Sequence, residues 1–242
     1  MAFGLVSGAA FATLVFAAFR LGCLLGNRGA GVLAAAMAAF PPHVVSAARD
    51  TVDVPFAAFV LVAVLMAVQD RPRATLLALT VAGCLRPEAW ILAAGCAFVW
   101  RHRLRWEVVL AVAGPLVWLL FGLLTTGDPL VALHTTRSFN KGGSVAFPNP
   151  FQLMAGMTTA PVLMAGVVGA LMAVRERDRR RMLVAGFALV LATATCAECL
   201  VGDLVIFDRF LLPSAALLAV LGAVATVDLL LRARPRHAAA LG

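Results

Sequence analysis

Tyrosine is absent from this sequence, lysine occurs once, at Lys141, and charged residues of all kinds make up only 13% of the chain. Several functional signatures are missing too. GNRGAG at 26–31 is glycine-rich, but it sits between two apolar stretches rather than after a strand, which argues against a nucleotide fingerprint. There is no Ser-His-Asp signal and no zinc pattern. Cys23, Cys84, Cys96, Cys196 and Cys199 lie in or beside apolar runs without histidine partners, and read as small buried hydrophobes. The opening stretch MAFGLVSGAAFATLVFAAFRLG has no basic region ahead of its apolar residues, so it does not read as a cleavable signal. No internal repeat and no low-complexity tract is visible. Alternating segments of the kind that build a membrane barrel are absent as well.

What is present is apolar residue in long runs. Of the 242 residues, 62% are hydrophobic, and the mean hydropathy is +0.97. Soluble domains are ~45–50% apolar, so the natural solvent for this chain is a bilayer. Lipid cannot satisfy bare backbone N–H and C=O groups, and with a barrel excluded the fold class is all-α, a polytopic transmembrane bundle. Nine hydrophobic segments can be marked, near 4–22, 29–47, 54–69, 74–85, 88–100, 107–125, 157–174, 182–201 and 210–231. A bilayer core needs ~20 apolar residues per helix. Segments 74–85 and 88–100 are each too short for that, and they meet at Leu85-Arg86-Pro87-Glu88, where proline disfavours helix in the residue before it. They are expected to form a bent pair or hairpin that leaves one face and returns to it. The chain therefore reads as one transmembrane domain over 1–242, with eight to nine helical segments and a long outer loop over about 126–156.

The net charge of +8 would suggest nucleic acid in a soluble protein, but here the arginines cluster in short turns between apolar runs. Nucleic acid is accordingly not an expected partner. When alternate connections are assigned to alternate faces, 15 of the 20 basic residues fall on one side. The positive-inside rule makes that side cytoplasmic and places the C-terminus there, in a multi-pass plasma-membrane protein. Arg49, Arg86, Arg137, Lys141 and Arg209 remain on the opposite side, together with Asp50, Asp53, Glu88, Asp128, Glu198, Asp203 and Asp208. Mixed charges at a membrane boundary are costly and tend to be functional.

Three clusters stand out on that outer side. The first runs from Pro41-Pro42-His43 to Arg49-Asp50-Thr51-Val52-Asp53-Val54-Pro55. Its two aspartates are spaced to share a helix face, but capping by Asp plus an Arg49–Asp53 ion pair is the simpler account of that spacing. The second is Arg86-Pro87-Glu88, which either faces a wet cavity or is a local ion pair fixing the bend. The third is Asp203 with Asp208-Arg209, where Arg209 either binds phosphate through its guanidinium fork or pairs with Asp208. The 126–156 loop, with His134, Arg137 and Lys141, is either a functional segment or a solvated connector.

Taken in order, these motifs resemble GT-C fold glycosyltransferases, which use polyprenyl-phosphate sugars and include the protein mannosyltransferases and the aminoarabinose-lipid A transferases. The matching features are Arg20 and the GNRGAG turn, Pro41-Pro42, Asp53-Val54-Pro55, Gly83-Cys84-Leu85-Arg86-Pro87-Glu88-Ala89 and Arg209-Phe210-Leu211-Leu212-Pro213. The resemblance implies inverting sugar transfer on the extracytoplasmic face. An acceptor hydroxyl would attack the anomeric carbon as the lipid phosphate leaves, with Arg or a divalent cation steadying the phosphate. Asp53 and Asp50 are then the candidate catalytic carboxylates. His43, Arg86, Glu88, Arg137, Lys141 and Arg209 are the candidate substrate-binding residues, and the partners are a polyprenyl-phosphate-linked sugar and membrane lipid. The family's usual base, in a first outer loop, has no counterpart here, so the chain reads as lacking the first helix and first loop. The competing readings are a transporter or lipid-handling protein and a non-catalytic membrane subunit. The transferase reading expects Asp53, Arg86, Glu88 and Arg209 to converge on one outward-facing cavity.

Overall fold

The computed structural model describes residues 2–39, 52–131, 134, 159–200 and 211–238, and among these every regular element is helical. In chain order they are α1 (Ala2–Leu25), α2 (Arg28–Ala39), α3 (Asp53–Val68), α4 (Pro72–Leu85), α5 (Glu88–Val99), α6 (Leu110–Thr126, entered through a 3-10 turn at Trp106–Val109), α7 (Ala160–Glu176), α8 (Arg179–Leu200) and α9 (Leu212–Ala238). Four stretches are long and apolar enough to cross a membrane: Gly4–Leu25, Trp106–Thr126, Arg179–Ala197 and Leu212–Ala233. The chain is a membrane protein on that ground.

The helices assemble as packed hairpins whose turns are chemically specified. Between α1 and α2, Asn27 Oδ1 accepts a hydrogen bond from the Ala30 amide at 3.0 Å and caps α2. The two helices then approach closely. A Cβ on Gly22 would lie 2.7 Å from the Ala30 carbonyl oxygen, so glycine is required there. Pro72 starts α4 at the first helical position. Asp178 opens α8 by accepting hydrogen bonds from the Arg180 and Arg181 amides at 2.9 and 3.3 Å.

Helix α3 lies at the centre. Phe56, Leu61, Val60 and Val64 are all fully buried or nearly so, and apolar residues cover its whole circumference, the pattern of a helix enclosed by others. Its neighbours are α1, α4, α8 and α9. The first half of α9 is equally enclosed, from Leu211 through Ala225. By contrast α6 sits at the edge and packs mainly on α4 and α5 among the described helices, with Leu116, Leu120, Phe121 and Leu124 turned outward. Such an exposed apolar face is compatible with lipid and not with water.

The short pair α4–α5 forms a hairpin. Arg86 is extended (φ −151°, ψ 136°), as the residue before Pro87 should be. The Trp90 indole N–H then donates to the Gly83 carbonyl at 2.9 Å and closes the bend. The far ends of the hairpin meet as well, where the Arg103 guanidinium reaches Asp70 at 2.6 Å. Nearby, Arg73 pairs with the buried Glu107 at 2.6 Å.

A second charged knot ties the other helices. Arg181, mostly buried, pairs with Asp228 at 2.7 Å and Asp178 at 3.1 Å, and donates to the Leu25 carbonyl at 3.0 Å. Arg232 reaches Glu176 at 2.6 Å. One guanidinium thus joins the end of α1, the α7–α8 turn and the later part of α9. Of the arginines that the sequence places on a single face, Arg73, Arg103, Arg181 and Arg232 are held at helix turns and ends by ion pairs.

Candidate functional site

Two helices begin with a carboxylate. Asp53 is the first residue of α3 and Glu88 the first of α5. A negative charge is favoured at a helix N-terminus, where unsatisfied amides and the helix dipole present positive potential. Neither residue acts as a side-chain cap, however. Both carboxylates turn to Arg86, in the break between α4 and α5. Arg86 Nη1 donates to Asp53 Oδ1, and Arg86 Nη2 is ion-paired with Glu88 Oε1, each at 2.8 Å. The guanidinium also lies 5.4 Å from the ring centroid of Phe56, one turn into α3.

All three charged residues are enclosed: Asp53 is 2% exposed, Arg86 6% and Glu88 3%. Charges taken this far out of water persist only when paired and hydrogen-bonded. The second oxygen of Glu88, Oε2, is buried without a hydrogen-bond partner. Buried polar atoms are seldom left so. This oxygen can accept a hydrogen bond from a water or from a ligand hydroxyl. Ser7 Oγ on α1 and Ser214 Oγ on α9 share that condition.

Three of the four residues expected to converge, Asp53, Arg86 and Glu88, do so as a buried ion-paired cluster. Arg209, Asp50, His43, Arg137 and Lys141 lie outside the described residues, as do Arg49 and the side chain of Glu198. The spacing of the first cluster suggests Arg49 as the partner of Asp53; the pair formed among the described residues is with Arg86, 33 positions away. Phe56 went unnoticed in the sequence, although its offset of three from Asp53 on one helix put it on the same face. Ser7, Ser214 and the Trp90–Gly83 bond carried no sequence signal. Among the described residues no group of three His, Cys, Asp or Glu side chains is placed to hold a metal ion.

At the end of α6, Asp128 accepts the Leu130 amide at 2.9 Å and contacts His134 Nδ1 at 2.7 Å. The Leu130 hydrogen bond first, and His134 second, hold the Asp128 carboxyl below the usual range. The stabilisation this gives is fully present above the ordinary Asp value of about 3.9 and is lost as pH falls through the depressed one. The Leu130 amide should therefore keep its protection against hydrogen exchange, relative to the intrinsic rate at each pH, down to about pH 4 and lose it below. An Asp128→Asn protein should lack that acid-induced step.

No family model, curated protein or solved structure matches the chain.

Proposed function

We propose that this chain is a membrane glycosyltransferase of the GT-C type, moving a sugar from a polyprenyl-phosphate donor to an acceptor on the extracytoplasmic face of a bacterial plasma membrane. The observation that carries the reading is the buried Asp53–Arg86–Glu88 cluster, which joins two motifs of the resemblance that are far apart in sequence. The cluster lies at the α4–α5 bend, away from the Asp70–Arg103 end of that hairpin. With the arginine-rich turns and the C-terminus cytoplasmic, the cluster is on the outer side.

In this reading Asp53 and Asp50 supply the carboxylates that take the acceptor's proton. Arg86 holds the Asp53 and Glu88 carboxylates beside each other. The charge on the leaving lipid phosphate is met by Arg137, Lys141 and Arg209, with or without a divalent cation. His43 and Glu88 Oε2 provide hydrogen bonds to sugar hydroxyls. General base and electrostatic catalysis require such carboxylates and cations together.

The test is transfer of labelled sugar from polyprenyl-phosphate hexoses and pentoses by purified, lipid-reconstituted protein. Transfer is expected, and Asp53→Asn should lower its rate by about 10²–10⁴. No transfer from any such donor by folded protein overturns the reading.

A second reading, transport, is favoured by one observation. Two short helices meeting at a proline break beside buried charge are also how secondary transporters build substrate sites. Uptake of solute without any sugar transfer would select it.

A further inference from the structure

Between α5 and α8 runs a groove of ≈ 240 Å³ with an almost wholly apolar lining, including Leu92, Cys96 and Trp100 on one side and Leu183 and Phe187 on the other. Two of its residues are glycines, Gly95 and Gly186, and a Cβ built on either would meet no atom within 4 Å. That sets them apart from the glycines at helix crossings. A Cβ on Gly166 would lie 2.6 Å from the Leu218 carbonyl oxygen, and one on Gly222 would lie 2.8 Å from the Gly166 amide nitrogen. Glycine inside a helix is disfavoured by about 1 kcal/mol relative to alanine. Gly95 and Gly186 thus hold space open where no backbone approach demands it.

The groove has a polar end. On α5 its lining stops at Trp100, next to Arg101; on α8 it starts at Leu183, one turn after Arg179 and Arg180. All three arginines are exposed. Arg101 is steadied over the Phe98 ring at 4.5 Å and donates to the Phe98 carbonyl at 3.2 Å. The acidic side chains of these turns are already engaged, Asp70 by Arg103, Asp178 by Arg181 and Glu176 by Arg232. None of them pairs with Arg101, Arg179 or Arg180. Tryptophan is also the residue that favours the depth where acyl chains meet headgroups.

We propose that this groove binds an anionic phospholipid, with one acyl chain between Gly95 and Gly186 and the phosphate on Arg101, Arg179 and Arg180. The guanidinium fork fits phosphate oxygens, and a headgroup such as that of phosphatidylglycerol brings no ammonium to oppose the arginines. The site lies at the opposite end of α5 from Glu88, so it does not depend on the sugar-transfer reading.

Delipidated protein in neutral detergent provides the test, with thermal unfolding followed as phosphatidylglycerol or phosphatidylcholine is added. Phosphatidylglycerol should raise Tm by roughly 5 °C or more, and phosphatidylcholine should raise it far less. Gly95→Leu with Gly186→Leu fills the groove, and should leave the lipid-free Tm near that of the parent while removing most of the phosphatidylglycerol shift. R101Q/R179Q/R180Q should remove it as well. Equal shifts with both lipids, or a full phosphatidylglycerol shift in both variants, overturn the proposal. If the leucine variant does not fold, Trp100 serves instead, in a protein with Trp90, Trp106 and Trp118 replaced by Phe. Dibrominated phosphatidylglycerol should quench its fluorescence more strongly than dibrominated phosphatidylcholine, and equal quenching counts against the site.

Discussion

Arg86→Ala is expected to destabilise the protein by about 3–5 kcal/mol, the cost of removing one member of a buried ion pair. Truncation leaves Asp53 Oδ1 and Glu88 Oε1 without the guanidinium nitrogen that each has at 2.8 Å, and both carboxylates remain enclosed. It also strips the charge from the face of Phe56. Lysine should rescue only in part, because a single ammonium lacks the fork that reaches two carboxylates in different directions. The informative companion is the neutral triple variant Asp53→Asn, Arg86→Met, Glu88→Gln. Replacing a whole buried ionic cluster by uncharged groups of similar size is often neutral or stabilising. The triple variant should therefore melt well above Arg86→Ala when the two are compared in one detergent. Combined with the transfer assay, it separates two roles. A cluster that only fixes the α4–α5 bend leaves a stable and active triple variant; a cluster that belongs to the reaction leaves a stable and inactive one. If Arg86→Ala melts within a degree of the parent, the burial and pairing described for this cluster are wrong.

Hydropathy made the helices legible because a bilayer leaves the backbone no other choice, and length alone separated the long spans from the α4–α5 pair. The break at Arg86-Pro87 was legible for a local reason, the steric effect of proline on the residue before it. Asp53, Arg86 and Glu88 were visible as charges out of place in apolar sequence. Their pairing was not visible from spacing, because Asp53 and Arg86 are 33 residues apart and the spacing offered Arg49 as a nearer partner. The Arg181 knot was hidden in the same way. Arg181 looked like one of five arginines marking a turn, yet its contacts with Asp228 and the Leu25 carbonyl reach two other helices. Charge counting locates such residues at a membrane face and cannot tell which of them is enclosed. The glycines divide along similar lines. In sequence Gly169 and Gly186 are both glycines in apolar helices; only the neighbouring helix distinguishes a crossing from an open groove.

That distinction leads to the second large effect, expected at Gly169. Helices α7 and α9 run parallel, with Gly166 against Leu218 and Gly169 against Leu221. Membrane helices gain little from apolar burial against one another, since lipid is just as apolar, and they associate instead through close packing that small residues permit. A Cβ on Gly169 would press directly into the Leu221 carbonyl oxygen and the backbone around it. The obstacle is main chain rather than the tip of a flexible side chain, so the helices must separate. Gly169→Ala should cost about 1–3 kcal/mol, and Gly169→Leu more. The loss should extend beyond the pair itself, because the end of α7 and the turn after it carry Glu176 and Asp178, the partners of Arg232 and Arg181. Moving α7 away from α9 pulls on both. Gly186→Leu is the matched control: the same change in a neighbouring helix, with nothing within 4 Å of the new Cβ, should shift Tm little. Thermal unfolding of the two leucine variants side by side decides the point. If Gly169→Leu unfolds at the same temperature as Gly186→Leu, then α7 and α9 are not in backbone contact.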